Sequence, residues 1–135
     1  MMNTDIRPTR IGIAVICRDG DVLVGVREAD AVLAGRHEFP GGKCLPGEST
    51  FACAEREALE ETGLTVQAVR MLKELEHTYP HGHLILTFVL CDIIPSDAPL
   101  NPRFTWVSRC QLGSLNFPEA NASIISMLTQ PESFN

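Results

Sequence analysis

No two of the five cysteines, Cys17, Cys44, Cys53, Cys91 and Cys110, stand in a C-x-x-C spacing, and their number is odd. The pattern excludes the usual signature of a structural zinc site or a disulfide framework and reads as reduced thiols. Runs of Lys and Arg are also missing, and 11 basic residues face 17 acidic ones, for a formal net charge of −6. A nucleic acid polymer is bound through clustered positive charge, so no such partner is expected. An anionic small molecule is still open, because local cations or a divalent metal can neutralise it. The strongest apolar run, residues 84–91, is too short to span a bilayer as a helix, and the first ten residues lack an apolar leader core. No membrane partner and a soluble, cytoplasmic protein are expected. There is no internal repeat, linker or low-complexity stretch, and no surplus apolar face marks a subunit contact. With 44% apolar and 21% charged residues, the chain fits one globular domain over residues 1–135.

Two aliphatic, β-branched runs, residues 11–17 and 22–26, flank Arg18-Asp19-Gly20-Asp21 and predict a hairpin. Residues 29–47 carry Gly35, Pro40, Gly41, Gly42, Pro46 and Gly47, which predicts ordered loop. Ser49 or Thr50 can cap a helix that runs to about Thr62, with Gly63 placed for a left-handed C-cap. Phe51, Ala54 and Ala58 form its apolar stripe. Residues 64–72 and 83–94 read as strands, residues 103–108 as a short one around Trp106, and residues 118–128 as a helix with Ala122, Ile124, Ile125 and Leu128 facing inward. Several strands with two helices predict an α+β fold, an α/β/α sandwich whose mixed sheet is covered by helices.

On the middle helix Glu57, Glu60 and Glu61 stand at i, i+3 and i+4 and share one face. A solvated acidic face is the common meaning of such a cluster. Like charges at this spacing repel, however, and converging hard oxygen ligands suit Mg²⁺ or Mn²⁺. The preceding Gly41-Gly42-Lys43 leaves backbone open to a ligand and adds a cation, which favours a metal site over a merely solvated face.

The string Gly42-x5-Glu48-x7-Arg56-Glu57-Ala58-Leu59-Glu60-Glu61-Thr62-Gly63-Leu64 resembles the box of the Nudix family, G-x5-E-x7-R-E-U-x-E-E-x-G-U with U a bulky aliphatic residue. Every polar position matches, and only Ala58 is small for its place. The resemblance implies the Nudix fold, a mixed sheet between helices, and the family's activity, Mg²⁺-dependent hydrolysis of nucleoside diphosphate derivatives. It implies Glu57, Glu60 and Glu61 as metal ligands, the carbonyl of Gly41 or Gly42 as another, and Arg56 and Glu48 as supports of a catalytic helix. Most of the chain further resembles the MutT-like branch, whose members cleave 8-oxo-dGTP to the monophosphate and pyrophosphate. The matching segments are His37-Glu38-Phe39-Pro40-Gly41-Gly42-Lys43, Arg27-x-Ala29-Asp30 and Phe117-Pro118-x-Ala120-Asn121. They imply Arg27 at the phosphate or sugar, Glu38, Phe39, Pro40, Gly41 and Lys43 along the substrate, and Asn121 at the purine edge. Tyr79 fits either stacking on a base or packing at a strand end.

Two departures stand out. The branch carries a further Glu before its Trp strand, where this chain has Pro99-Leu100-Asn101-Pro102, which leaves the general base open. An Arg of the branch is replaced by Gly82 ahead of His83, which removes a contact to the base. Broader Nudix action on CTP-like nucleotides, dinucleoside polyphosphates or ADP-ribose is the alternative. A nucleotide sensor without catalysis fits less well, because it has no need of three like charges on one helix face.

Overall fold

The computed structural model describes residues 7–27 and 35–130. Strand β1 (Thr9–Arg18) turns into β2 (Asp21–Val26) through Asp19 and Gly20, both at positive φ (51° and 86°). Two positive φ values in a two-residue loop match the right-handed twist of the flanking strands, which is why Asp-Gly announces this turn. Cys17 stands opposite Val22 and Arg18 opposite Asp21. Then follow β3 (His37–Glu38), β4 (Gly41–Lys43), α1 (Thr50–Thr62), β5 (Val66–Tyr79), β6 (Gly82–Ile93), β7 (Phe104–Ser108) and α2 (Ala122–Leu128).

The strands form one mixed sheet in the order β3-β2-β1-β6-β5, with β4 added on β1 and β7 on β2. Among the described residues only β1 and β6 run parallel, from Thr9 opposite Leu84 to Cys17 opposite Asp92. Both faces of the central strands are buried, so their alternation separates two apolar layers rather than core from water. Ala14, Ile16, Leu23, Val89 and Cys91 face one way and pack with Ala54 and Ala58 of α1. Val15, Val22, Val24 and Phe88 face the other way, toward Phe39, Leu112, Ile124 and Leu128. The α/β/α sandwich is therefore present.

Four details differ from the sequence reading. Phe51 is 37% exposed, and the fully buried Cys53 takes its place beside Ala54, because the inner stripe of α1 lies one step around the helix. The 29–47 segment holds β3 and β4, whose partners are distant in sequence: Gly42 stands opposite Gly12 and Glu38 opposite Gly25. Strand β5 continues past residue 72 to Tyr79, paired with β6 through register shifts at Ala68/Arg70 and Met71/Lys73. The tail begins as a 3₁₀ turn over Glu119–Asn121, and Ala122 faces solvent while Ile124 is fully buried.

Helix α1 starts and ends on local signals. The Ser49 hydroxyl accepts from the Ala52 amide, and Gly63 adopts φ 86° with its amide donating to the Leu59 carbonyl. A side-chain oxygen at the N-cap and a glycine in the left-handed region are the residues each end requires. The box loop and helix are thereby held against β1 and β4.

Candidate active site

Arg56 is the hub of the α1 surface. Its Nε donates to Glu48 Oε2 (2.8 Å) and one terminal nitrogen to Glu48 Oε1 (2.9 Å), a two-pronged contact that a planar guanidinium makes and an ammonium cannot. The other terminal nitrogen reaches Glu57 (3.0 Å) and Glu60 (3.1 Å), and a further bond goes to the Lys43 carbonyl (3.1 Å). Glu48 also accepts from the Leu45 amide (2.9 Å). Arg56 first, and then that amide, hold the Glu48 carboxyl down at about 2, while Glu48 in turn raises Arg56. The loop before α1 and the carboxylates on it are thus fastened by one cation.

Glu57 lies against Gly42 so closely that a Cβ there would meet its carboxylate at 2.6 Å. Only glycine permits that approach. Glu61 stands nearby, and burial, then Glu57, then the charge of Glu38 push its carboxyl up to about 8, against a lowering by the Gly41 amide. Two carboxyls crowded into a half-buried corner favour shared protonation, or a cation between them. Glu60 points elsewhere: its side chain is 56% exposed and tied to Arg56. The structure therefore gathers Glu57, Glu61, Glu38 and Gly41 and leaves Glu60 at the outer edge. A backbone corner without a Cβ, lined by hard carboxylate oxygens, fits a divalent cation.

Because the folded pKa of Glu61 lies above its ordinary value of 4.5, the folded protein holds a proton that the unfolded chain gives up. Without metal, stability falls as pH rises from about 4.5 to about 8 and levels off above. Urea unfolding in chelator across that range checks this. Glu61→Gln is expected to flatten the slope, and an unchanged slope in that variant would show that Glu61 is not its source.

Glu38 links β3 to this corner. One of its oxygens accepts from Arg27 (2.9 Å) and the other from Arg103 (2.5 Å). Arg103 also lies 3.8 Å from Glu61 and covers the Phe104 ring at 4.5 Å. Sequence reading missed Arg103; its one signal is a cation directly after the Pro99-Leu100-Asn101-Pro102 departure. That loop is latched to the end of α1, where Asn101 donates from its amide to the Thr62 carbonyl (2.9 Å) and from its side chain to the Glu61 carbonyl (3.1 Å). Where the branch is expected to bring a carboxylate, this chain brings a positive charge.

Phe39 is buried in the core, stacked on Phe117 (4.9 Å between centroids) and edge-on to Phe88, so its ring supports the wall from behind. Pro40 is buried, and its carbonyl accepts from the Ala14 amide (2.8 Å), which fixes the turn into Gly41. Lys43 is exposed. Asn121 ends the 3₁₀ turn that follows Phe117, with its side chain 3.4 Å from the Pro118 carbonyl. The Phe39–Phe117 stack and the paired hydrogen bonds between His37 and Asn116 connect that turn to the strand leading into Gly41. Tyr79 ends β5 opposite Gly82; its side chain, like Ala29 and Asp30, lies outside the described residues.

Comparison with known proteins fits this geometry. The NUDIX domain family matches residues 12–127. The 8-oxo-dGTP diphosphatase of Escherichia coli (strain K12) is 31% identical over 122 residues, which cover 88% of this chain and 95% of that protein. The CTP pyrophosphohydrolase of the same strain is 45% identical over 51 residues, 38% of each chain. Among solved structures, the MutT protein from Methanosarcina mazei Go1 has the same fold, with a TM-score of 0.75 at 22% identity over 93% of this chain and 96% of that one. The chain belongs to the NUDIX domain family. Within that class it is a MutT-like Nudix hydrolase, an enzyme of the nucleotide diphosphatase type that acts on small-molecule nucleotides. Enzymes of this family work with a divalent cation. No helix among the described residues is long and apolar enough to cross a membrane.

Proposed function

We propose that the whole chain acts as one Nudix domain that hydrolyses 8-oxo-dGTP or another modified (d)NTP to the monophosphate and pyrophosphate, with Mg²⁺ as cofactor and Mn²⁺ as a substitute. The observation that carries this reading is the crowding of Glu57 against Gly42, and of Glu61 against Glu57 and the Gly41 amide, under the Arg56 brace. A divalent cation bound there would neutralise the phosphates and lower the pKa of a bound water. Glu57, Glu61 and the Gly41 carbonyl would hold it, and Glu60, tied to Arg56 at the helix edge, would have to turn to reach it. Arg27 and Arg103, both anchored on Glu38, supply positive charge for the phosphate chain, and Lys43 adds to it. Asn121 offers both a donor and an acceptor to a purine edge, the chemistry that reads an altered base. The five unpaired thiols favour a reducing, cytoplasmic setting.

One observation favours a second reading. The local likeness to a CTP pyrophosphohydrolase, with Gly82 where the branch has an Arg, supports a pyrimidine triphosphate as substrate. The two separate by kcat/KM. The favoured reading expects 8-oxo-dGTP to exceed dGTP and CTP by roughly tenfold or more, the discrimination that one or two well-placed hydrogen bonds provide. A preference for CTP over both purines would replace it with the second reading.

A further inference from the structure

Beside the Arg56 brace three further ligand atoms converge. The Sγ atoms of Cys44 and Cys53 and a carboxylate oxygen of Glu48 all lie within 4.8 Å of one another. Cys53 is buried at the start of α1, with Sγ 3.3 Å from the Gly42 carbonyl, while Cys44 is half-buried. The three are rigidly mounted: the Cys44 amide donates to the Arg10 carbonyl (2.8 Å) as a continuation of the β1–β4 ladder, and the Cys53 amide donates to the Ser49 carbonyl (2.9 Å).

We propose that Cys44, Cys53 and Glu48 form a binding site for a thiophilic divalent cation such as Zn²⁺ or Cd²⁺, with donors distinct from those of the Glu57–Glu61 corner. In a tetrahedral site two sulfurs at about 2.3 Å from one ion stand about 3.8 Å apart, so a cluster whose ligand atoms lie within 4.8 Å of one another closes on an ion with a shift of at most about 1 Å, within reach of side-chain rotation. Two thiolates and one carboxylate make a soft donor set that excludes Mg²⁺, whose preference is for oxygen. A fourth ligand would complete the tetrahedron. Burial, then Cys44 beside it, push the Cys53 thiol up to about 12. Cys53 therefore keeps its proton until an ion with strong sulfur affinity displaces it.

The site reports on catalysis through Glu48. That carboxylate already accepts from Leu45 and twice from Arg56, and Arg56 lies 3.9 Å from Cys53 Sγ. A cation drawn onto Glu48 competes with the guanidinium and loosens its hold on Glu57 and Glu60. This consequence for turnover rests on the proposed hydrolase activity; the binding site itself does not.

The test is Cd²⁺ titration of the full chain in excess Mg²⁺, followed by the ultraviolet absorption of cadmium thiolate and, in parallel, by turnover. Wild type is expected to saturate at one equivalent, with turnover falling as the band grows. Cys44→Ser and Cys53→Ala are each expected to weaken Cd²⁺ binding by more than about tenfold, since even an outer-shell partner of a metal is worth that much. Cys44→Ser, on a half-buried loop, retains full turnover and escapes the inhibition; if Cys53→Ala does not fold, it decides alone. No band in wild type, or a band of equal strength in Cys44→Ser, would overturn the site. A band that saturates without loss of turnover overturns the link through Arg56. Because the band is read whether or not a nucleotide is cleaved, failure of the hydrolase reading and failure of this one are distinguishable.

Discussion

Glu61→Gln is expected to leave a folded protein whose Mg²⁺-dependent turnover falls by about two to three orders of magnitude, the equivalent of a few kcal/mol of lost charge stabilisation. Gln keeps the shape of the side chain and one acceptor oxygen but supplies no negative charge to a cation. The same substitution relieves the crowding that burial and Glu57 impose on Glu61. In chelator above pH 8 the variant should therefore be more stable than wild type, while its turnover collapses. Opposite signs in the two measurements identify a carboxylate that is held at a cost to stability because the reaction uses it. A variant with wild-type turnover, or one that loses stability and turnover together, would contradict that role. The first outcome would remove Glu61 from the chemistry, and the second would make it an ordinary structural residue.

Arg56→Ala should lower kcat/KM by about 10- to 100-fold, the range typical of partners that orient metal ligands without touching the metal. The single guanidinium satisfies Glu48, Glu57, Glu60 and the Lys43 carbonyl. Its loss leaves three carboxylates without their shared cation and frees the loop that carries Gly42. A higher Mg²⁺ concentration should be needed for half-maximal rate, because the ligands must then be organised by the ion itself. Arg56→Lys tests whether charge alone suffices. A lysine cannot make the two-pronged contact with Glu48, so it should recover little, and full recovery would show that geometry plays no part.

The fold was legible where local rules dominate. Ser49 and Gly63 mark the ends of α1 within a residue, and Asp19-Gly20 marks the first turn, because each of these conformations is set by the residue that adopts it. Strands β3 and β4 were not legible, since two or three residues become a strand only by pairing with partners such as Gly12 and Gly25, which follow from the global topology. The outer half of β5 was missed because Lys73, Glu74, Glu76 and His77 give it no apolar run; it persists as a ribbon paired with β6.

The candidate site divides in the same way. The carboxylates of α1 and the Gly41–Gly42 loop are neighbours in sequence and could be read directly. Arg103 is 65 residues from Glu38, and no spacing rule announces that pair. Phe39 looked like a substrate contact by position, yet its stacking on Phe117 makes it a wall that positions the Pro40–Gly41 turn. The cluster of Cys44, Glu48 and Cys53 escaped notice because its donors leave a strand end, a loop and a helix at unrelated spacings. What the chain shows locally is the carboxylate helix, and what only the fold shows is the set of groups arranged around it.

The most direct measurement is product identification with a purified nucleoside triphosphate, with Mg²⁺ and again with chelator. Monophosphate and pyrophosphate in equal amounts, formed only with the cation, are the predicted result. Release of inorganic phosphate and a nucleoside diphosphate, or equal hydrolysis in chelator, would contradict the account.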